Sequence, residues 1–368
     1  MPSAWFESGL SGRLWPIRLK PYADELLTSW LVRLSRAYGM EARRFSASIS
    51  RHPAFWNRDL DKGIYTDVLE VLIHSTATPL AQVVDTTFWG YRGFPAWQLY
   101  SSGVSPWLLS IGLRYGQRHR PWLQYCPYCL DDDPDPYFRR QWRLTFVTVC
   151  VPHRCRLLDR CEACGASCNI HQVSSDAHAI TCCYRCQFDA RRARAPRLAN
   201  TADRYRLMQF QTLLIEGLHR GRYCLSRTES VSMEEMLSVV RQLGRLLSSR
   251  KHAVALRAGL CGEMGEPYFE PSFPSPRGGA VEVLSIRDRF PLTLLLAWWL
   301  DDWPDQFVAI CAMAKLTVAE LMSSLSNPPD WYEEAVSQVA HGRFAGMKFA
   351  SYDTVRSSID TSRMQQAL

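Results

Sequence analysis

The sequence predicts a mainly α-helical protein with a small β component: an N-terminal helix-turn-helix-like bundle, tandem zinc ribbons and a C-terminal helical domain. Three observations predict it. Apolar residues recur at helical spacing through the first 110 residues and again from about residue 200. Ten of the 13 cysteines fall between Cys126 and Cys186. The cysteine-rich stretch is broken by turn residues and β-rich pieces such as WRLTFVTVC. The expected divisions are 1–118 for the helical N-terminal domain and 119–197 for the zinc-ribbon region. A C-terminal helical domain is expected over 198–345, and a Ser-rich tail over 346–368 that is expected to be flexible.

Each element has a local reason. DELLTSWLVRLSRAYG places Leu26, Leu27, Trp30, Leu31 and Leu34 on one stripe, with Asp24 as its cap, Gly39 as its stop, and Arg33 and Arg36 on the wetter side. Short helices are expected over 41–49 and 67–74. TPLAQVVDTTF adds a fourth, with Thr78 capping and Pro79 at the first helical position. Beyond the cysteines, YRLMQFQTLLIEGLHRG reads as a helix stopped at Gly221, and MEEMLSVVRQLGRLLSSR as another. A Pro/Gly-rich loop is expected over 262–279. Helices then follow at 291–300, 304–314, 317–325 and 329–341, with a capping box from Thr317 and Glu320. FVAICAMAK and TVAELMSSL have the form of a helix-turn-helix, but the second helix offers Glu320, Ser323 and Ser324 and no arginine, so core packing is the favoured reading. Trp5, Trp15, Trp30, Trp298 and Trp299 read as core or docking aromatics.

Composition excludes several classes. The 368 residues are 47% hydrophobic and 21% charged, an ordinary globular balance. No apolar run approaches the ~18 residues a membrane span needs. MPSAWFESGLSGRLW lacks the basic start and apolar core of a secretion signal, so a cytoplasmic location is expected. The formal charge is +7, carried by 38 arginines and only five lysines. Residues 111–206 hold 16 arginines and nine acids, so the whole excess sits there. One reading is Arg-rich coding by a GC-rich genome. Phosphate recognition is the functional alternative, with Arg139, Arg140, Arg143, Arg191, Arg192 and Arg194 as candidate nucleic-acid contacts.

The cysteines carry the sharpest signal. Cys126 and Cys129 form a CxxC, followed by Cys150 and His153; Cys161 and Cys164 form another, followed by Cys183 and Cys186. Both sets read C-x2-C, a spacer near twenty, then C-x2-(C or H), which is zinc-ribbon spacing. Two structural Zn²⁺ ions are therefore expected. Cys182 competes with Cys183 for a place, and Cys155, Cys168, His171 and His178 are spare donors. Seven thiolates and two zinc ions would bring the central charge nearer +4. Each box offers four ligands and so leaves no open position for water, and His153 is followed by Arg154 and Cys155 rather than the glutamate of the zinc deaminases. No catalytic residue is expected. Asp131, Asp132, Asp133 and Asp135 read as a solvated acidic turn, and His52, His74 and His119 as ordinary surface or core residues. No Gly-rich phosphate loop is present, which disfavours an ATPase.

Together, the opening PYADELLTSWLVRLSRAYG and the middle YCPYCLDDDPDPYFRRQWRLTFVTVCVPHRCRLLDRCEACG resemble the TniQ family, which includes TnsD-type target selectors of DNA transposons. The resemblance covers about residues 16–190; the C-terminal half matches only in being helical. It implies a non-enzymatic adaptor that marks an integration site and recruits an AAA+ ATPase, which engages the transposase. Some members bind an attachment sequence in target DNA. Others dock on a CRISPR Cascade ribonucleoprotein, often as a homodimer. By match to the motif, Cys126, Cys129, Cys150 and His153 would hold one zinc and Cys161, Cys164, Cys183 and Cys186 the other. The competing expectation is a self-sufficient, zinc-dependent, sequence-specific DNA-binding regulator.

Overall fold

A computed structural model of the chain describes residues 14–340 except 51, 53, 96–98, 101–102, 112, 115–116, 119, 226–229, 250–252 and 273–280. The tail at 346–368, Trp5, His119 and part of the 262–279 loop lie outside the described residues. The protein is mainly α with a small β component, and its residues fall into two compact units, 1–197 and 198–368. Among the described residues no helix is long and apolar enough to cross a membrane.

In the first unit, α1 (Leu27–Ala37) is the central element. Leu26, Leu27, Trp30, Leu31 and Leu34 are all buried, as their spacing predicts. The helix start differs from expectation. Asp24 does not cap it; it sits three residues upstream with a left-handed φ of 57°. Tertiary partners do the capping instead. The Leu27 amide donates to the Thr86 carbonyl at 2.9 Å, and the Thr28 amide to Asp61 Oδ1 at 2.8 Å. A carboxylate at this position also suits the positive end of the helix dipole. Arg33 is not on a wet face either: only 5% exposed, it is paired with Glu25 at 2.7 Å and Asp135 at 2.6 Å.

Helices α2 (Ala42–Ser46), α3 (Thr66–Thr76) and α4 (Leu80–Val84) follow, α2 packing on α1 and α3 on α4. Pro79 is the residue before α4 rather than its first turn, because its ψ of 143° is extended. Trp15 closes one end of the bundle, edge-on to Phe45 at 5.2 Å. The cysteine-rich stretch holds little regular structure. β1 (Leu113–Arg114) pairs with β2 (Gln117–Arg118), and β3 (Val149–Cys150) with β4 (Cys155–Arg156), both antiparallel. α5 (Pro127–Asp132) is one short helix with proline at its first position. WRLTFVTVC yields only the two residues of β3; its start is a 3₁₀ turn over Arg140–Arg143.

The second unit contains α6 (Ala202–Arg220), α7 (Met233–Ser248), α8 (Ala253–Met264), α9 (Ile286–Trp299), α10 (Asp305–Met313), α11 (Val318–Met322) and α12 (Asp330–Ala340). β5 (Arg222–Cys224) and β6 (Ser230–Ser232) form a small antiparallel pair between α6 and α7. Gly221 ends α6 in a left-handed turn at φ 79°, where a Cβ would cost strain. Ser232 and Glu235 form a complete capping box on α7, and Thr317 and Glu320 another on α11. α8 occupies residues expected in part to be loop, and α9 begins five residues before the proline expected to start it. α11 is only one turn long. Gln242 of α7 donates to the Glu320 carbonyl at 2.6 Å and to Ser323 Oγ at 3.1 Å, so this end of α11 is packed rather than free to read DNA.

Candidate metal centre

Two groups of four donors assemble in the first unit. Cys126, Cys129, Cys150 and His153 have all their ligand atoms within 4.8 Å of one another, and so do Cys161, Cys164, Cys183 and Cys186. Local structure explains the first group. Cys126 immediately precedes α5 and Cys129 lies in its first turn, so the helix start points both sulfurs one way. Cys150 ends β3, and His153 lies in the turn that leads to β4. Arg154 gives that turn its left-handed step, at φ 48°.

The separations within this group are 3.5 Å for Cys129–Cys150 and 3.3, 3.4 and 3.6 Å from His153 Nδ1 to Cys129, Cys150 and Cys126. A tetrahedron built on metal–sulfur bonds of about 2.3 Å has edges near 3.8 Å, and slightly less to nitrogen. The donor set and its spacing therefore suit a tetrahedral ion and are consistent with zinc. His153 Nε2 meets Asp132 Oδ2 at 2.7 Å, which orients the ring with Nδ1 towards the sulfurs. Arg197 braces the same turn: its guanidinium donates to the His153 carbonyl at 2.6 Å and lies 4.1 Å over the Tyr128 ring.

The second group is built from two matching turns. The Gly165 amide closes the first onto the Cys161 carbonyl at 2.9 Å, and the Gln187 amide closes the second onto Cys183 at 2.9 Å. Both closing residues are left-handed, at φ 69° and 62°. The sulfur pairs Cys161–Cys186 and Cys164–Cys183 are 3.6 and 3.7 Å apart. This group is wetter than the first: Cys186 is exposed and only Cys161 is buried.

Electrostatics argue that a cation belongs here. Hydrogen bonds from Cys129, Cys150 and Cys155 hold the Cys126 thiol far below its usual pKa, while the same contacts push Cys129 and Cys150 up. Thiolates packed at these distances repel one another, and a positive ion among them would offset that repulsion. In the second group burial pushes Cys161 up to about 12, whereas the Phe188 amide lowers Cys186.

Neighbouring candidates sort differently. His171 is buried and stacks on Trp56 at 5.0 Å, away from both groups. His178, Cys182 and Asp189 come close together, but Cys182 Sγ lies 3.4 and 3.5 Å from the two ring nitrogens alike, a position over the ring rather than beside one lone pair. Asp189 is taken up by Thr181 and by two side-chain bonds from Arg191; these outweigh its burial and hold its carboxyl below the usual range. Cys155 is buried 3.6 Å from Cys126.

The acidic run is exposed, as a solvated turn would be, with Asp131, Asp132 and Asp135 all on the surface, but three of its four aspartates also hold partners. Asp132 holds His153, Asp133 takes a bidentate pair from Arg139 at 2.9 and 3.0 Å, and Asp135 holds Arg33. Sequence reasoning missed these roles; Asp133 and Arg139 are six positions apart, but His153 and Arg33 lie 21 and 102 positions from their aspartates.

The six candidate phosphate contacts divide in the same way. Arg140 (3% exposed) pairs with Asp24 at 3.4 Å and donates to the Thr87 carbonyl at 2.8 Å. Arg143 (fully buried) pairs with Asp59 and Asp61. Neither offers its guanidinium to a phosphate, because internal carboxylates already hold it. Arg139 and Arg191 are paired with Asp133 and Asp189. Arg192 and Arg194 are exposed, as is Arg185, and have no side-chain partner among the described residues.

The opening motif and the middle motif form one joint. The Leu26 amide donates to the Phe138 carbonyl at 2.9 Å, the Arg140 amide to the Asp24 carbonyl at 2.6 Å, and the Phe138 amide to Ser29 Oγ at 3.0 Å. The family model TniQ matches residues 16–157, which contain this joint and the first donor group and end before the second. No protein with curated annotation matches the chain.

Proposed function

We propose, on the premise that residues 16–157 are of the TniQ family, that this protein is a non-enzymatic target-selection adaptor for DNA transposition. It bridges a target-recognition element to an AAA+ ATPase and through it to a transposase. The recognition element is attachment-site DNA or a CRISPR Cascade complex. The observation that carries this reading is the match over 16–157, since the two motifs behind it pack as one joint.

The metal geometry supports a scaffold. We assign Zn²⁺ to both groups, held by Cys126, Cys129, Cys150 and His153 and by Cys161, Cys164, Cys183 and Cys186. Four protein donors fill a tetrahedron and leave no position for a water nucleophile, so the ions act as cross-links. The first ties α5 to the β3–β4 hairpin; the second ties two turns 22 residues apart that have no sheet between them. Arg192 and Arg194, beside the second group, are the remaining candidates for phosphate contact.

The test is reconstitution. With its cognate ATPase and transposase the protein should direct insertion to one site, and alone it should neither cut nor join DNA. Strand cleavage by the purified protein, or targeted insertion undiminished by its omission, would remove the reading.

A further inference from the structure

The first donor group has a fifth sulfur at its edge. Cys155 Sγ lies 3.6 Å from Cys126 Sγ, as close as His153 Nδ1 lies to that same sulfur. It is fully buried, and it stands on β4 directly across from Cys150 on β3. Its spacing is also that of a ligand. Cys150-x2-His153 and Cys150-x4-Cys155 both fall within the two-to-four-residue gaps that bring paired metal ligands round one turn. His153 is the outermost member of the group, 21% exposed in the hairpin turn, and Asp132 on its far side is 70% exposed. The group thus has a wet nitrogen donor on one side and a dry sulfur donor held in reserve.

We propose that Cys155 is an alternative fourth ligand of the first metal site, able to replace His153. The inference rests on the zinc reading above. In the exchange the bond to His153 Nδ1 breaks and a bond to Cys155 Sγ forms. The Cys155 thiol proton passes to the freed imidazole, which becomes a cation beside the Asp132 carboxylate, 2.7 Å away. Charge and atoms balance: a Cys₃His site with a neutral thiol becomes a Cys₄ site with an imidazolium. A fourth thiolate suits the same ion, so the site keeps its cross-link while the hairpin turn is released. That turn carries the His153 carbonyl to which Arg197 is bonded, so its release would reach the exit of the first unit.

The experiment uses full-length protein refolded with Co²⁺, scored by ions per chain and by the sulfur-to-cobalt charge-transfer band. Wild type should hold two ions; wild type holding none defeats the zinc reading itself, and this inference with it. His153→Ala should still hold two ions, with the band raised by about one-seventh as seven thiolates become eight. Cys155→Ser alone should hold two with the band unchanged, and the double variant should hold one. His153→Ala that holds a single ion, or that fails to fold, overturns the proposal, because the thiol left in place should have kept the metal. It is equally overturned if adding Cys155→Ser to His153→Ala changes neither the stoichiometry nor the band.

Discussion

Arg143 is fully buried, and two aspartates and a backbone carbonyl hold the two terminal nitrogens of its guanidinium, while its Nε finds no hydrogen-bond partner among the described residues. Asp59 takes one edge, Asp61 shares the inner nitrogen at 2.9 Å, and the Leu109 carbonyl accepts at 2.8 Å. Asp61 in turn caps α1 through Thr28. Removing the arginine would leave two carboxylates in a dry interior, so Arg143→Ala should destabilise the first unit by about 3–5 kcal/mol. Arg143→Lys should recover only part of that, since an ammonium cannot reproduce the planar fork. Arg192→Ala, at an exposed position, should stay within about 0.5 kcal/mol. Urea midpoints for the three variants decide it; an Arg143→Ala midpoint no lower than that of Arg192→Ala would refute the assignment. Glu25 supplies a second test. Burial raises its pKa to about 7, against the opposing pull of Arg33. A carboxyl whose folded pKa lies above its unfolded one favours folding at low pH, and that contribution fades as pH rises from about 4.5 to 7. Wild type should therefore lose up to about 1.4 kcal/mol per pH unit relative to Glu25→Gln across this window. Parallel stability–pH curves would contradict it. These residues show where sequence reading stops. Arg140 and Arg143 are indistinguishable from phosphate contacts in a charge count, because the acids that hold them lie 82 to 116 positions away. The eight cysteine and histidine residues that come together in two groups were legible because they repeat at short, fixed spacing.

At the scale of elements, the two donor groups differ in how they are enclosed. The first is wrapped by α5 and the β3–β4 hairpin, with all three sulfurs buried; the second hangs on two turns, with Cys186 exposed and Cys164 and Cys183 half-buried. A chelator or an alkylating agent reaches metal through exposed ligands, so the second group should open first. In a timed chelation with thiol alkylation and peptide mapping, Cys161, Cys164, Cys183 and Cys186 should be labelled before Cys126, Cys129 and Cys150. Simultaneous labelling, or the reverse order, would sink this. The same contrast governs which elements could be read from the chain. α1 and α7 have apolar stripes, and both were evident. α8, AVALRAGLCGEM, is small and apolar on most sides and buries an arginine, so it has no stripe to detect. Pro291 suggested a helix start, but it sits in the sixth position of α9, and the packing of α9 against α6 and α7 keeps the earlier turn helical despite the missing amide.

At the scale of the whole chain, the two units depend on different sources of stability. The second has a mainly apolar core from seven helices, including Leu214, Met236, Leu243, Leu295, Trp299, Phe307 and Tyr332, all nearly inaccessible. The first shares its core between a helical bundle and a stretch of about 70 residues with two-residue strands and one short helix, which has few backbone ladders to hold it. The joint between Asp24–Ser29 and Phe138–Arg143 makes these parts one body, so slackening in the cysteine-rich stretch should propagate into α1. Metal binding at such sites is folding energy. Removing the metal should therefore lower the stability of the first unit and leave the second near its original value. In calorimetry of the full-length protein, a chelator should shift one transition to lower temperature by many degrees and leave another in place, with the α6–α12 helices still contributing to the far-ultraviolet signal between them. Cys126→Ser should give at most part of this shift without chelator, because it touches only the first site and Cys155 can join the Cys₂His remnant; Cys126→Ser combined with Cys155→Ser should shift at least as far as the single variant. A single transition that moves as a whole would show that the two units unfold together, and one unmoved by chelation would show that the metal carries none of the first unit's stability.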